Sequence, residues 1–174
     1  NSGLMQFDAA IENFEQALKI NPGYDEAYNN IGIALSQKGD FEQSIESFVK
    51  AIKINPAYAE AYNNMGNAQS NQGDYVSASR SFREALEIKP DYAEAFNNIG
   101  NCLQLMGHFE EALESFNEAL NMNPLYYQAY YNKAVTLTKK GDLEAAINSY
   151  NQAIKIKPDH AWAHYNLGIT YSDW

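Results

Sequence analysis

His160 and His164 stand four residues apart near a predicted helix start, a spacing that sets two imidazoles on one helical face as a metal ion would require. Only Asp159 is close enough in sequence to serve as a third ligand. With three histidines and one cysteine in the whole chain, no Gly-rich phosphate loop and no nucleophile elbow, nothing assembles into catalytic chemistry. No catalytic residue, metal site or cofactor is expected, and the chain reads as a non-enzyme. The residues that do recur are amides. Asn30, Asn64, Asn98, Asn132 and Asn166 are evenly spaced, and a carboxamide offers both donors and an acceptor, the pattern that an extended peptide backbone presents in return.

Those asparagines are spaced by the same period as the prolines. Pro22, Pro56, Pro90, Pro124 and Pro158 lie 34 residues apart each time, and a fixed period of this size marks a repeat architecture. Counted so that each proline falls at position 32 of the unit, the chain aligns with itself without insertion or deletion. Position 27 is Ala17, Ala51, Ala85, Ala119 and Ala153; position 24 is Phe14, Phe48, Phe82, Phe116 and Tyr150. Position 20 is Ala10, Ser44, Ala78, Ala112 and Ala146. Position 15 is Gly39, Gly73, Gly107 and Gly141. Position 8 is Gly32, Gly66, Gly100, Ala134 and Gly168, and position 4 is Tyr28, Tyr62, Phe96, Tyr130 and His164.

This pattern resembles the tetratricopeptide repeat, whose signature runs aromatic-x-x-Leu-Gly-x-x-Tyr, then Ala-x-x-x-Phe, then Pro. The resemblance covers essentially the whole chain, with local departures at Lys133 (position 7) and Gln69 (position 11), both normally apolar. It implies an all-α, right-handed α-solenoid of antiparallel helix pairs. In style the sequence is most similar to the superhelical repeats of O-GlcNAc transferases and to bacterial members of the family.

Helical physics leads to the same elements. Small and apolar residues at positions 3, 4, 7, 8, 10 and 11 follow the 3.6-residue period of a helix with one buried stripe. A second stripe follows each position-15 glycine, which suits the left-handed turn ending a helix; Asp40 then caps the next one, with Gln43 completing a capping box. Each proline stops the chain between units. Ten helices are expected: first helices near 25–38, 59–72, 93–106, 127–140 and 161–173, and second helices near 7–20, 41–54, 75–88, 109–122 and 143–156. Residues 1–174 are read as a single solenoid: a half repeat at 1–24, full repeats at 25–58, 59–92, 93–126 and 127–160, and a half repeat at 161–174. Since both ends fall inside a repeat, the chain is expected to be a piece of a longer protein, with Asn1-Ser2-Gly3 a cloning remnant.

The repeat frame settles several single residues. His160 and His164 take places held elsewhere by tyrosine or phenylalanine, so both are read as packing aromatics. His108 takes the capping place of Asp40, Asp74 and Asp142 and is a helix-start variant. Cys102 aligns with Ala34, Ala68, Thr136 and Thr170 and is read as small buried packing. The net charge of −10 argues against nucleic acid and against anionic membranes. Glu110, Glu111, Glu114 and Glu118 crowd one second helix and read as a solvated face. No signal peptide or membrane-length apolar run is seen, and a cytoplasmic location is expected.

On a helical wheel, positions 2, 5, 6, 9, 12 and 13 of the first helix fall opposite its packing stripe and are expected to be exposed. Asparagine costs a helix about 0.5–0.7 kcal/mol relative to alanine, so pairs such as Asn63-Asn64 call for a reason. The resemblance supplies one: first helices line the concave surface, where O-GlcNAc transferase asparagines hold the backbone of bound peptides. It implies Asn30, Asn64, Asn98, Asn132 and Asn166 as backbone readers, with Asn67 and Asn101 at position 9 assisting. Tyr131, Trp162 and Tyr165 would give the groove an aromatic C-terminal end, with Tyr127 adjacent. The carboxylate clamp of chaperone-tail-binding members needs cations, but position 2 is Glu26, Glu60, Glu94, Gln128 and Trp162. These glutamates complement the helix macrodipole and make the groove acidic, favouring a basic partner. The expected function is therefore a protein-interaction module for an extended peptide. Two alternatives stand beside it: a scaffold that self-associates head to tail through its repeat ends, and a substrate-recognition segment of a larger enzyme such as a glycosyltransferase.

Overall fold

The computed structural model describes residues 2–174, with side chains from Met5 onward. Asn1, part of the tripeptide read as a remnant, lies outside the described residues. The described residues form ten α-helices: α1 Ser2–Ile20, α2 Asp25–Lys38, α3 Phe41–Ile54, α4 Ala59–Asn71, α5 Tyr75–Ile88, α6 Ala93–Leu105, α7 Phe109–Met122, α8 Tyr127–Lys140, α9 Leu143–Ile156 and α10 Ala161–Asp173. The chain divides into two compact units, Asn1–Pro90 with α1 to α5 and Asp91–Trp174 with α6 to α10.

Within each unit every helix packs on its chain neighbours, and first helices also meet the next first helix: α2 with α4, α6 with α8, and α8 with α10. What lets two helices of a pair approach is glycine opposite an aromatic ring. A Cβ added to Gly32, Gly66 or Gly100 would sit 2.6 Å from Cε1 of Phe48, Phe82 or Phe116, so the ring occupies the space a side chain would need. In the fourth unit Ala134 and Tyr150 replace the pair together, and both are buried.

The hinge inside each pair is a Schellman turn. The Asp40 N–H donates to the Leu35 carbonyl (2.9 Å) and the Gly39 N–H to the Ser36 carbonyl (3.1 Å), with Gly39 at φ 89°. Gly73, Gly107 and Gly141 repeat the positive φ, which side chains disfavour. Helix α1 shows what happens without this signal. It was expected to begin near residue 7 but runs from Ser2, because Met5 and Gln6 hold the places of the turn glycine and its aspartate, and nothing there ends a helix.

The expected capping box at Asp40 and Gln43 does not form. Asp40 occupies the N-cap of α3 without a side-chain cap bond, and its carboxylate lies 3.6 Å from the Lys38 ammonium. Asp74 and Asp142 do cap, accepting from the Ser77 and Ala145 N–H groups at 3.0 and 3.2 Å. Three of the links between repeats are Asx turns, in which Oδ1 of Asn21, Asn55 and Asn123 accepts from the N–H two residues on, across the proline; Lys89 and Lys157 hold that place in the other two.

Candidate functional site

The asparagine ladder is built into the seam between successive first helices. Asn64 Nδ2 donates to Asn29 Oδ1 at 3.0 Å, and Asn132 Nδ2 donates to Asn97 Oδ1 at 3.0 Å. Each bond joins position 6 of one repeat to position 5 of the repeat before it. The asparagines of position 5 are not exposed as the helical wheel suggested: Asn29 is 5 %, Asn63 1 % and Asn97 4 % accessible. The wheel places a face relative to one neighbour, whereas α2 meets α1, α3 and α4, and α6 meets both α7 and α8. A buried amide must be hydrogen-bonded, and for Asn29 and Asn97 the next repeat supplies the partner.

The same seam explains how position 5 changes while position 6 does not. In the last rung Asn166 Nδ2 donates to the Tyr131 hydroxyl at 3.0 Å, so a phenol oxygen substitutes for the amide oxygen as acceptor. Tyr131 was expected as an exposed groove contact. It is half-buried instead, stacked on His160 with centroids 4.9 Å apart and tilted against Tyr150 at 6.1 Å. Trp162 and Tyr165 are open, at 66 % and 61 % accessibility, and meet edge to face at 5.9 Å.

Of the position-6 asparagines, Asn30 is exposed, while Asn64, Asn98, Asn132 and Asn166 are half-buried. Asn67 and Asn101, one turn further on, are also half-buried. Glu26, Glu60, Glu94 and Gln128 are exposed at the start of their helices. The acidic character is felt by neighbouring phenols. Burial raises the Tyr58 pKa first, and Glu26, Asp25 and Glu60 add to it; burial likewise pushes Tyr126 up to about 12, with Glu94 and Tyr127 contributing.

The histidines are engaged in structure. His160 Nδ1 accepts from the Ala163 N–H at 3.1 Å and its ring packs edge-on against Tyr127, while His164 Nε2 donates to the Pro158 carbonyl at 2.9 Å. Among the described residues no group of three His, Cys, Asp or Glu side chains is placed to hold a metal. His108 sits at the N-cap of α7 and contacts Glu111 at 3.1 Å. Lys133 is half-buried, its ammonium donating to Asn117 Oδ1 at 2.8 Å, and burial lowers its pKa.

Val135, Thr138 and Ile169 escaped the sequence reading: with Tyr150 and Asn166 they line a cavity of about 190 Å³. A second cavity, about 580 Å³, opens between α1, α2 and α3 over Tyr28, Ile31 and Leu35. Among the described residues no helix is long and apolar enough to cross a membrane.

Comparison with known proteins gives the same architecture. The crystal structure of MamA superposes with a TM-score of 0.79 at 24% identity, covering 89% of this chain and 91% of that one. MamA residues 41 to the end from Desulfovibrio magneticus RS-1 give 0.78 at 17%, covering 89% and 88%. YrrB, described as a TPR protein with an unusual peptide-binding site, gives 0.74 at 25%, covering 95% and 85%. No curated protein sequence matches significantly. The TPR repeat family matches residues 6–39, 34–73 and 136–173, and further tetratricopeptide repeat families match 59–125 and 115–148. Together these matches run from the first helix to the last, and the chain belongs to the tetratricopeptide repeat family.

Proposed function

We propose that the chain is a non-enzymatic, cytoplasmic interaction module that holds an extended, basic segment of a partner protein along the first-helix faces of its repeats. The observation that carries this reading is the rung between Asn64 and Asn29, repeated between Asn132 and Asn97. A carboxamide has two donors and an acceptor with two lone pairs, and a rung takes one donor while fixing the side chain's rotamer. An amide already ordered pays little further entropy on meeting a peptide backbone. Asn30 and Asn67 in the first unit and Asn98, Asn101 and Asn166 in the second hold the equivalent repeat positions, and Trp162 and Tyr165 supply exposed aromatic surface in the second unit. The similarity to YrrB, a peptide-binding member, supports the assignment.

Each amide-to-backbone bond nets only about 0.5–1.5 kcal/mol, so affinity is expected to be micromolar or weaker, with little side-chain selectivity. Charge sets the preference that remains. Glu26, Glu60 and Glu94 are exposed on one face of their helices, and no lysine or arginine shares position 2. Fluorescence anisotropy with two unstructured peptides of equal length, one lysine-rich and one glutamate-rich, tests this. The lysine-rich peptide should bind more tightly, and salt should erode the difference as the screening length falls to about 8 Å. Equal binding would remove the basic preference. Replacing Asn30 and Asn101 together by alanine should weaken binding several-fold with the fold intact; unchanged affinity would leave the asparagines as purely structural.

A further inference from the structure

Position 24 supplies the ring in the interlock of paired helices, and where Phe48, Phe82 and Phe116 stand in three repeats, Tyr150 adds one hydroxyl in the fourth. Tyr150 is 1 % accessible, yet it reaches the wall of the cavity of about 190 Å³ in the second unit. The other walls come from two neighbouring first helices: Val135, Thr138 and Lys139 from α8, and Asn166, Ile169 and Thr170 from α10. Asn166 faces α8, since its amide donates to the Tyr131 hydroxyl, and Thr170 is fully buried. The cavity thus lies beside a rung of the asparagine ladder.

Its uncommitted polar groups are donors. Thr138 and Thr170 give their hydroxyl hydrogens to the Ala134 and Asn166 carbonyls at 3.0 and 2.8 Å, whereas Asn166 commits one amide hydrogen to Tyr131 and retains a second. Burial raises the Tyr150 pKa, and hydrogen bonding with Thr138 and Asn166 works against that rise, so the phenol oxygen lies between these two walls. A hydroxyl there can rotate toward an incoming acceptor. Charge points the same way. Lys139 is exposed, its ammonium 3.2 Å from Gln104 Oε1, and no aspartate or glutamate lines the cavity. Helix α8 carries Lys133, Lys139 and Lys140 without an acidic residue, and Gln128 and Trp162 replace the position-2 glutamates of the other first helices.

We infer that this cavity is a specificity pocket for the carboxylate of one glutamate or aspartate side chain in the bound segment, held by the Tyr150 hydroxyl, the Asn166 amide and the Lys139 ammonium. The space is smaller than the roughly 300–1,000 Å³ of pockets for drug-sized ligands, so it takes a single side chain. Val135 and Ile169 flank the stem. Hydrogen bonds to a charged acceptor are about twice as strong as those between neutral groups, which favours the acid over its amide. The inference rests on the proposed peptide groove and adds to it one acidic residue, read in the second unit, within a segment that is otherwise basic.

Fluorescence anisotropy with three lysine-rich peptides, differing only in a central glutamate, glutamine or alanine, reads the preference. The wild-type chain should bind the glutamate peptide about five- to tenfold more tightly than the other two. Tyr150→Phe restores the ring of the other repeats and should bind all three alike; Lys139→Gln should bring the glutamate peptide down to the glutamine one. Equal binding of glutamate and glutamine peptides by the wild type, or a glutamate preference that survives in Tyr150→Phe, would overturn the inference. A second measurement separates the pocket from the groove. Propionate alone, titrated into isotope-labelled protein, should shift the NMR amide signals of Thr138 and Asn166 in the wild type and not in Tyr150→Phe. Peptides that fail to bind while propionate still shifts those signals would count against the groove and for the pocket; peptides that bind while propionate shifts nothing would keep the groove and overturn the pocket.

Discussion

Asn132 and Asn97 lie 35 residues apart in sequence and are joined by a 3.0 Å bond from the amide of one to the amide oxygen of the other. The pair sits where two first helices run side by side, and Asn97 also donates to Asn98 Oδ1 at 3.4 Å. Mid-helix asparagine is unfavourable in isolation, but a half-buried hydrogen bond between repeats offsets that cost. The ladder is thus part of what registers one repeat against the next, before any ligand is considered.

Alanine at Asn132 should therefore destabilise the protein. The substitution gains about 0.6 kcal/mol of helix propensity but leaves a buried amide oxygen without its donor, which costs about 1–3 kcal/mol. A net loss on the order of 1 kcal/mol is expected in urea unfolding. Asn30 offers the control, since its side chain is exposed; Asn30→Ala should change stability by less than about 0.5 kcal/mol. An Asn132→Ala protein as stable as its parent would show that the rung contributes nothing.

The difference between what was readable and what was not lies in the number of neighbours. Helices defined by a stripe and a stop signal were legible: the prolines and Gly39, Gly73, Gly107 and Gly141 place nine helix starts and every helix end to within a residue or so. Helix α1 departed because Met5 stands where a glycine signals a turn elsewhere. Burial of Asn29, Asn63 and Asn97 was not legible, because a polar residue opposite a packing stripe looks solvated unless the third helix beside it is known. Nor does sequence tell which of Asp40 and Asp74 turns its carboxylate to the helix and which toward a lysine.

One substitution at two equivalent glycines should have opposite effects. At Gly66 a new Cβ lies 2.6 Å from a buried Phe82 ring, so Gly66→Ala overpacks the pair at a cost of about 1–3 kcal/mol, against about 1 kcal/mol of helix propensity gained. At Gly168 nothing opposes the methyl, and the propensity gain stands alone. Thermal melts of dilute protein should show Gly66→Ala lowered and Gly168→Ala unchanged or raised. Shortening the ring with Phe82→Leu should recover part of the Gly66→Ala loss. Equal shifts at both glycines would refute the interlock.

The capping contrast gives a pH-dependent comparison. Asp74 accepts from the Ser77 N–H, and this bond, more than any other influence, holds its carboxyl below the usual aspartate range. A depressed folded-state pKa contributes stability that is present above the unfolded value near 4 and is lost as pH falls through the folded value. Asp74→Ala should therefore lower the melting temperature more than Asp40→Ala at neutral pH, because Asp40 makes no cap bond. The gap should narrow in acid. Identical melting temperatures for the two variants at neutral pH would show that the cap at α5 is idle.

At the alkaline end the sensitive group is Tyr126, which leads into α8 half-buried and with its phenol pKa pushed up to about 12, chiefly by burial and then by Glu94 and Tyr127. An unfolded tyrosine ionises near 10, so between about pH 10 and 12 the unfolded chain has lost this proton while the native one keeps it. Stability must then fall as pH rises through that window, since the native state binds the proton more tightly. Tyr126→Phe keeps the ring and removes the proton, and its unfolding free energy should decline less steeply above pH 10 than that of the parent. The difference in tyrosinate absorbance between the two proteins isolates the Tyr126 titration from the other phenols. Glu94→Gln should move that difference curve to lower pH, because the carboxylate opposes the phenolate charge. A curve centred at the ordinary tyrosine value would show that the phenol is solvated and the alkaline loss lies elsewhere.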